Sequence, residues 1–333
     1  MTARSPFPHG TPRRDDLVTA VGLTAAAAAV AAVLGARARR EVTDAPQSGA
    51  VTGVKPALPA SRILNLGETF QPLFREGRPQ ETTALRSFAF DDTNRRLFTA
   101  QPAAGADAAS GDLCITRLDL SGNPVGHMNL TGFGRGGAFA AEGEGTDTWL
   151  WIETDADGAG YGTRLTRLRF AAGETVDHAD RGLPKYLPAP DASRLGCTID
   201  QVHRTMAVPY HWEGRPRIVV FPLSDVTHGD FGNPLAEFPQ PTELPDAELL
   251  GCALDGGYLY VLDMAAGHAR ITTVDLRSGQ QARQTRLDVD TSGTPTGLAV
   301  HRPTDAEARL FLGAATGKEG GHGAELWFTR LAG

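Results

Sequence analysis

The feature that most restricts how this 333-residue chain can fold is a unit that recurs five times. Each copy opens on a short apolar strand, turns through polar residues and returns on a second apolar strand. The copies are SFAFDDTNRRLFTAQ (87–101), GGAFAAEGEGTDTWLWIETD (136–155), LGCTIDQVHRTMAVPYHW (195–212), LGCALDGGYLYVLD (250–263) and TGLAVHRPTDAEARLFLGAATG (296–317). A third strand follows each: DLCITRLDLSGN, GTRLTRLRFAAGE, PRIVVFPLSD, ARITTVDLRSGQ and AELWFTRLAG. With Phe88, Ala138, Cys197, Cys252 and Leu298 taken as equivalent, the steps are 50, 59, 55 and 46 residues. That period suits a four-stranded blade, so residues 62–333 are expected to form an all-β, five-bladed β-propeller. Blades are covered on both faces by their neighbours, which explains strands that read as nearly continuous apolar runs.

Four of the five units run on into a fourth extended segment, such as PVGHMNL or QARQTRLDV. The last stops at Gly333 after three strands, and RILNLGETF (62–70) is expected to supply its fourth. An N-terminal strand would then close the last blade and leave the ring without a gap. A two-sheet sandwich, the competing fold, predicts neither five comparable units nor a completing strand. The 39 Gly and 22 Pro fit a chain rich in turns.

The first forty residues follow different rules. A polar, basic start, MTARSPFPHGTPRRDD, precedes the uncharged run LVTAVGLTAAAAAVAAVLG and the small-x-small triplet Ala36-Arg37-Ala38. That layout predicts an export signal over residues 1–38, with an uncleaved membrane anchor as the alternative. Arg13-Arg14 gives it a twin-arginine character, although Asp15-Asp16 depart from the usual pattern. Residues 39–61 lack apolar periodicity and read as a flexible linker. The expected location is therefore secreted or at the cell surface, with a membrane partner only through an uncleaved leader.

Charge narrows the partners. Residues 1–40 hold six Arg and two acidic residues, leaving 26 basic against 37 acidic beyond them, a formal net charge of −11. An acidic body argues against nucleic acid, whose binding draws on Lys and Arg neutralising phosphates. The three cysteines, Cys114, Cys197 and Cys252, are too few and too scattered for a disulfide framework, and all sit in apolar strands. They are expected to be reduced, buried and small-hydrophobe-like.

Several motifs carry little chemistry. Gly132-Phe-Gly134-Arg-Gly-Gly137 matches GxGxxG by letter, but a strand rather than a helix follows it, which removes a dinucleotide site. Asp155-Ala-Asp157-Gly158-Ala-Gly160 resembles the start of a calcium loop without the later glutamate, so no cofactor is expected and calcium stays a minor option. The chain contains no GxSxG, HExxH, Walker A or CxxC pattern.

LRSFAFDDTNRRLFTAQ, GDLCITRLDLSGNPVGHMNLTGFGRGGAFAAEG and WLWIETDADGAGYGTRLTRLRF together resemble a known β-propeller family. It includes teichoic acid biosynthesis protein C of Gram-positive bacteria and the propeller of certain phage receptor-binding proteins. The resemblance spans most of 62–333 and is strongest over about 85–170. It implies a five-bladed propeller and a surface or secreted protein associated with cell-wall glycopolymers. Two positions depart from the family pattern: Arg135 in GFGRGG, where a histidine is expected, and His127 in VGHM, where an aromatic is expected.

In a propeller, the loops from second to third strands and those from blade to blade share one face around the channel mouth. That face would gather Gln101, Glu153, Asp155, Tyr161, His211, Trp212, Arg215, Asp263, His268, Glu319 and His322 as a ligand-binding set. Carboxylates, imidazoles and aromatics together suit sugar binding, with rings stacked on Tyr or Trp and hydroxyls held by polar groups. Trp212 is the better platform, whereas Trp151 in WLWIE reads as core. The expected function is a non-catalytic binding module for a cell-envelope glycan or a surface protein. A polyanion would meet repulsion from the acidic body unless calcium or a local basic patch intervenes, so a neutral glycan fits the charge better. The alternative is a secreted glycan hydrolase or lyase using a pair among Glu153, Asp155, Asp263 and Glu319.

Overall fold

The computed structural model describes residues 57–66, 70–107, 109–240, 249–265, 268–287, 291–304, 307–317 and 321–329. The segment expected to be an export signal (1–38) and most of the expected linker (39–61) lie outside the described residues. Among the described residues the strands form five sheets, one for each repeat. The first strand in the chain, β1 (Phe70–Gly77), belongs to the last of them.

Blade 1 contains β2 (Ser87–Asp91), β3 (Arg96–Pro102), β4 (Leu113–Leu118) and β5 (Pro124–Thr131). Blade 2 contains β6 (Phe139–Glu144), β7 (Asp147–Ala156) and β8 (Gly162–Arg169). After β8 the chain crosses to blade 1, where β9 (Thr175–Asp177) pairs in parallel with β5. Blade 3 has β10 (Thr198–Asp200), β11 (Thr205–Trp212), β12 (Arg215–Pro222) and β13 (Ala236–Pro239). Blade 4 has β14 (Gly251–Asp255), β15 (Tyr258–Ala265), β16 (His268–Asp275) and β17 (Gln280–Arg286). Blade 5 runs β18 (Thr294–Thr304), β19 (Glu307–Thr316) and β20 (Gly323–Thr329), and β1 adds its outer strand. The inner strands β2, β6, β10, β14 and β18 neighbour one another in a closed ring.

Two sequence expectations shift. The closing strand is FQPLFREG, not RILNLGETF: Phe70 pairs with Thr329 and Pro72 with Trp327, with bulges on either side of Phe74. Phe70 and Phe74 are its buried residues and pack into the last blade. The upstream residues pack against blade 4 instead. The Leu64 N–H donates to the Tyr260 hydroxyl at 2.8 Å, and Leu66 is buried among Ala253, Tyr260 and Leu262. Ser61, at the end of the expected linker, also touches blade 4: its Oγ accepts the Gly257 N–H at 2.8 Å. Blade 2 is the other departure, being three-stranded apart from one bridge between Leu165 and Tyr186. The polar segment after β8 has little apolar surface to cover that sheet. It is held by β5 instead, where Asn129 donates to the Glu174 carbonyl at 2.9 Å.

The third strand of repeat 3 stops short of the expected PRIVVFPLSD, at Pro222. Pro222 has φ −59° and no N–H for the ladder, so LSDVT opens the one-turn helix α1 (Leu223–Thr227), with Leu223 and Val226 buried. The cores lie between blades: Trp151 of blade 2 is buried with Cys197, Met206 and Phe221 of blade 3.

A set of polar locks joins the inner strands on the face opposite the channel mouth. Thr148 Oγ1 donates to Asp91 Oδ2 at 2.5 Å, linking blades 1 and 2, and Arg204 pairs with Glu142 at 2.6 Å, linking 2 and 3. The Gly256 N–H donates to Asp200 Oδ2 at 2.6 Å, Arg302 pairs with Asp255, and His301 Nδ1 lies 2.5 Å from Asp92 Oδ1. Asp91, Asp200, Asp255 and His301 each stand three residues past the equivalent residue of their blade, Phe88, Cys197, Cys252 and Leu298. Buried polar atoms need such partners, and these are placed where each blade meets the next.

Candidate functional site

At the opposite end of the inner strands the ring opens into a cavity of about 440 Å³. All five blades line it, through the starts of the inner strands, the ends of the second strands and the loops between blades. Four predicted residues reach it: Glu153, Tyr161, His211 and His322. Its wall is largely apolar lower down, with Phe88, Phe139, Pro209 and Leu298, and the backbone stretches holding the buried Cys197 and Cys252 also line it.

Glu153 organises the blade 2 side. It is buried near the end of β7, and its Oε1 accepts the N–H groups of Gly137 (2.8 Å) and Ala138 (3.4 Å). Its Oε2 accepts the Gly162 N–H at 2.8 Å. Burial raises its pKa, and the backbone donors of Gly162, Gly137, Ala138 and Gly136 oppose that rise. Gly134 is required for this contact: a Cβ there would sit 2.4 Å from Glu153 Cγ. Gly134 and Gly137 of GFGRGG thus lie against a buried carboxylate.

The rim is cationic. Arg135 Nε and Nη2 donate to the Ala159 carbonyl (3.1 and 2.7 Å), Nη1 donates to Tyr161 Oη (3.1 Å), and Cζ lies 4.0 Å from the Tyr161 ring centroid. Arg194 Cζ lies 5.2 Å from the same centroid. Arg194 has φ +51°, a left-handed conformation costly for a side-chain-bearing residue. The paired hydrogen bonds between Ser193 and His211 (3.0 and 2.8 Å) hold the chain in place beside it. Arg86 is the third arginine lining the mouth, and its Cβ would lie 3.5 Å from a Cβ built on Gly136.

The other predicted residues are engaged elsewhere. Gln101 is buried and ties down the segment before blade 1, donating to the carbonyls of Glu81 (2.9 Å) and Thr83 (2.6 Å). Asp155 meets three side chains: Lys185 Nζ at 2.5 Å, His178 Nδ1 at 3.0 Å and Arg164 Nε at 3.1 Å. Burial works to raise its pKa, but hydrogen bonds from Lys185 and His178 prevail and the net shift is downward. Asp157 Oδ1 accepts the N–H groups of Ala159 (2.8 Å) and Tyr161 (3.0 Å) within its own turn. Asp263 is fully buried against Arg270, at 2.6 Å to Nε and 3.1 Å to Nη2. Trp212 and Arg215 form the end of the β11–β12 hairpin, with Arg217 Cζ 4.7 Å from the Trp212 ring. His268 Nδ1 meets Arg286 Nη2 at 3.0 Å. Glu319 lies outside the described residues. Among the described residues no group of three or more His, Cys, Asp and Glu gathers as a metal set.

Sequence reading passed over Arg86 and Arg194. Both were reachable from the five equivalent residues of the repeat. Arg86 stands two residues before Phe88, Arg135 three before Ala138 and Arg194 three before Cys197, the place where each blade enters the mouth.

The profile of the family described as "Phage 5-bladed beta propeller receptor binding platform domain" matches residues 84–321. A Bacillus subtilis (strain 168) protein that carries the name major teichoic acid biosynthesis protein C is 25% identical over 266 residues. That match covers 74% of this chain and 60% of the relative, so the chain spans well under two thirds of its length. The tail fiber of Staphylococcus aureus phage P68 superposes with a TM-score of 0.66 at 16% identity, over 81% of this chain and 54% of that one. At that identity the superposition bears on the fold, and it agrees with the five blades described above. The chain belongs to the phage five-bladed β-propeller receptor-binding platform domain family.

Proposed function

We propose that the chain is an exported binding module that holds a cell-envelope glycopolymer or another surface partner at its channel mouth. The observation that carries this reading is the 440 Å³ cavity, which every blade lines and which combines an apolar wall with an aromatic and cationic rim. Concave sites with a few convergent polar groups on a rigid scaffold are where ligands bind. Family membership supports a surface partner, and the name of the Bacillus subtilis relative points toward teichoic acid. The basic, then apolar, then small-residue start of the chain supports export.

The cavity also removes an objection raised by net charge. The body is acidic, yet the mouth carries Arg86, Arg135 and Arg194, a local basic patch of the kind a polyanion needs. Binding of the purified full chain to cell-wall polymers, measured by co-sedimentation with intact walls, tests the reading. Retention on walls that falls with Tyr161→Ala supports it. Failure to bind any wall preparation refutes it.

A further inference from the structure

We infer that Arg86, Arg135 and Arg194 form an anion-binding subsite at the channel mouth, taking a phosphodiester or carboxylate group of the bound polymer. This rests on the binding reading above and names the chemistry of that site.

Three observations converge. First, one arginine from the entry of each of blades 1, 2 and 3 lines the same cavity, although the protein has a net charge of −7. Elsewhere at this end, Arg164 is paired with Asp155 and Arg270 with Asp263. Among the described residues these three have no carboxylate partner. Arg135 bonds only to a carbonyl and a phenol, and Arg194 meets only the face of Tyr161. Like charges gathered without counter-charges repel one another, and an anion placed among them relieves that repulsion.

Second, among the described residues the cavity wall offers the three arginines a single carboxylate, Glu153, and both its oxygens are taken by backbone N–H groups. Third, Arg194 occupies its place at the expense of a left-handed backbone. The paired Ser193–His211 hydrogen bonds beside it hold that conformation in place. Guanidinium groups bind phosphate and carboxylate oxygens through two parallel N–H bonds, so a planar fork over Tyr161 is suited to either anion. Arg86 and Arg194 are exposed and Arg135 half-buried, which leaves their outer N–H groups open to a ligand.

The test is equilibrium binding of the full chain to three probes: poly(glycerol phosphate), polygalacturonate and neutral dextran. Binding of either polyanion that weakens steeply with salt is expected, and the one that binds identifies phosphodiester or carboxylate as the group recognised. Arg135→Gln and Arg194→Gly should each weaken it roughly tenfold, with Arg135→Lys retaining more than Arg135→Gln. Glycine suits the φ of position 194, so that variant keeps its fold, and thermal unfolding confirms this for each protein. Polyanion binding unchanged in Arg135→Gln and Arg194→Gly, or binding of dextran alone, overturns the subsite while leaving a binding module. Binding of none of the three also overturns it, and the wall co-sedimentation above then decides the broader reading separately.

Discussion

Glu153 and Gly162 meet where only a hydrogen atom fits: the Gly162 N–H donates to Glu153 Oε2 at 2.8 Å, and a Cβ there would fall 2.5 Å from Glu153 Cβ. One carboxylate thus ties the end of β7 to the head of β8 and to the loop bearing Arg135. Glu153→Ala leaves the N–H groups of Gly137, Ala138 and Gly162 without their acceptor. A stability loss of about 2–4 kcal/mol is expected from such stranded donors, measured by urea denaturation. Cleavage of the 132–137 loop by protease should rise with it. A variant as stable as the parent would show that the carboxylate is not the anchor.

The same residue gives a pH dependence. Burial raises the Glu153 pKa above its ordinary 4.5, with backbone donors only partly opposing the shift. Below 4.5 the carboxyl is protonated in both folded and unfolded chains, and its contribution to stability is fully present. As pH rises through the folded value the unfolded chain has already released its proton, so that stability is lost. Denaturation midpoints of the parent against Glu153→Gln should diverge across this window. Parallel profiles would contradict the shift.

Asp263 and Arg270 are both buried and joined at two points, so removing one partner strands a charge. Arg270→Ala should cost about 3–5 kcal/mol, whereas replacing both by apolar residues should cost far less. Thermal and urea unfolding of the single and double variants decide this. Equal losses in the two would argue against a buried pair.

The thiols should be silent in the folded protein. Burial pushes Cys114 up to about 11 and Cys252 up to about 12, and it raises Cys197 well above its ordinary value. Thiolate is the reactive form, so iodoacetamide at pH 8 should leave all three unmodified until denaturant is added. Mass spectrometry showing native alkylation at Cys197 or Cys252 would mean that the channel wall opens.

The ring was legible because a blade has a fixed length, and residues such as Cys197 and Cys252 mark the same point in each copy. The closing strand was legible as a need, but not as a segment. RILNLGETF and FQPLFREG are both apolar enough, and only packing against Trp327 and Leu326 selects the second. The site was legible as a face. Glu153, Tyr161, His211 and His322 reach it, whereas Asp155 and Asp263 are claimed by Lys185 and Arg270, cations that the spacing of the repeat does not reveal. Arg194 was hidden for a different reason. An arginine in a polar loop looks like a solvated charge until its left-handed backbone and its position over Tyr161 are seen.

Hydrogen–deuterium exchange of the full chain, with and without a saturating cell-wall polymer, tests the central claim most directly. Protection is expected in the segments that enter the mouth, residues 84–88, 135–139 and 194–197, with the opposite-face turns at 92–95 and 201–204 unchanged. Protection confined to those turns, or to the outer edges of the blades, would contradict a binding site at the channel mouth.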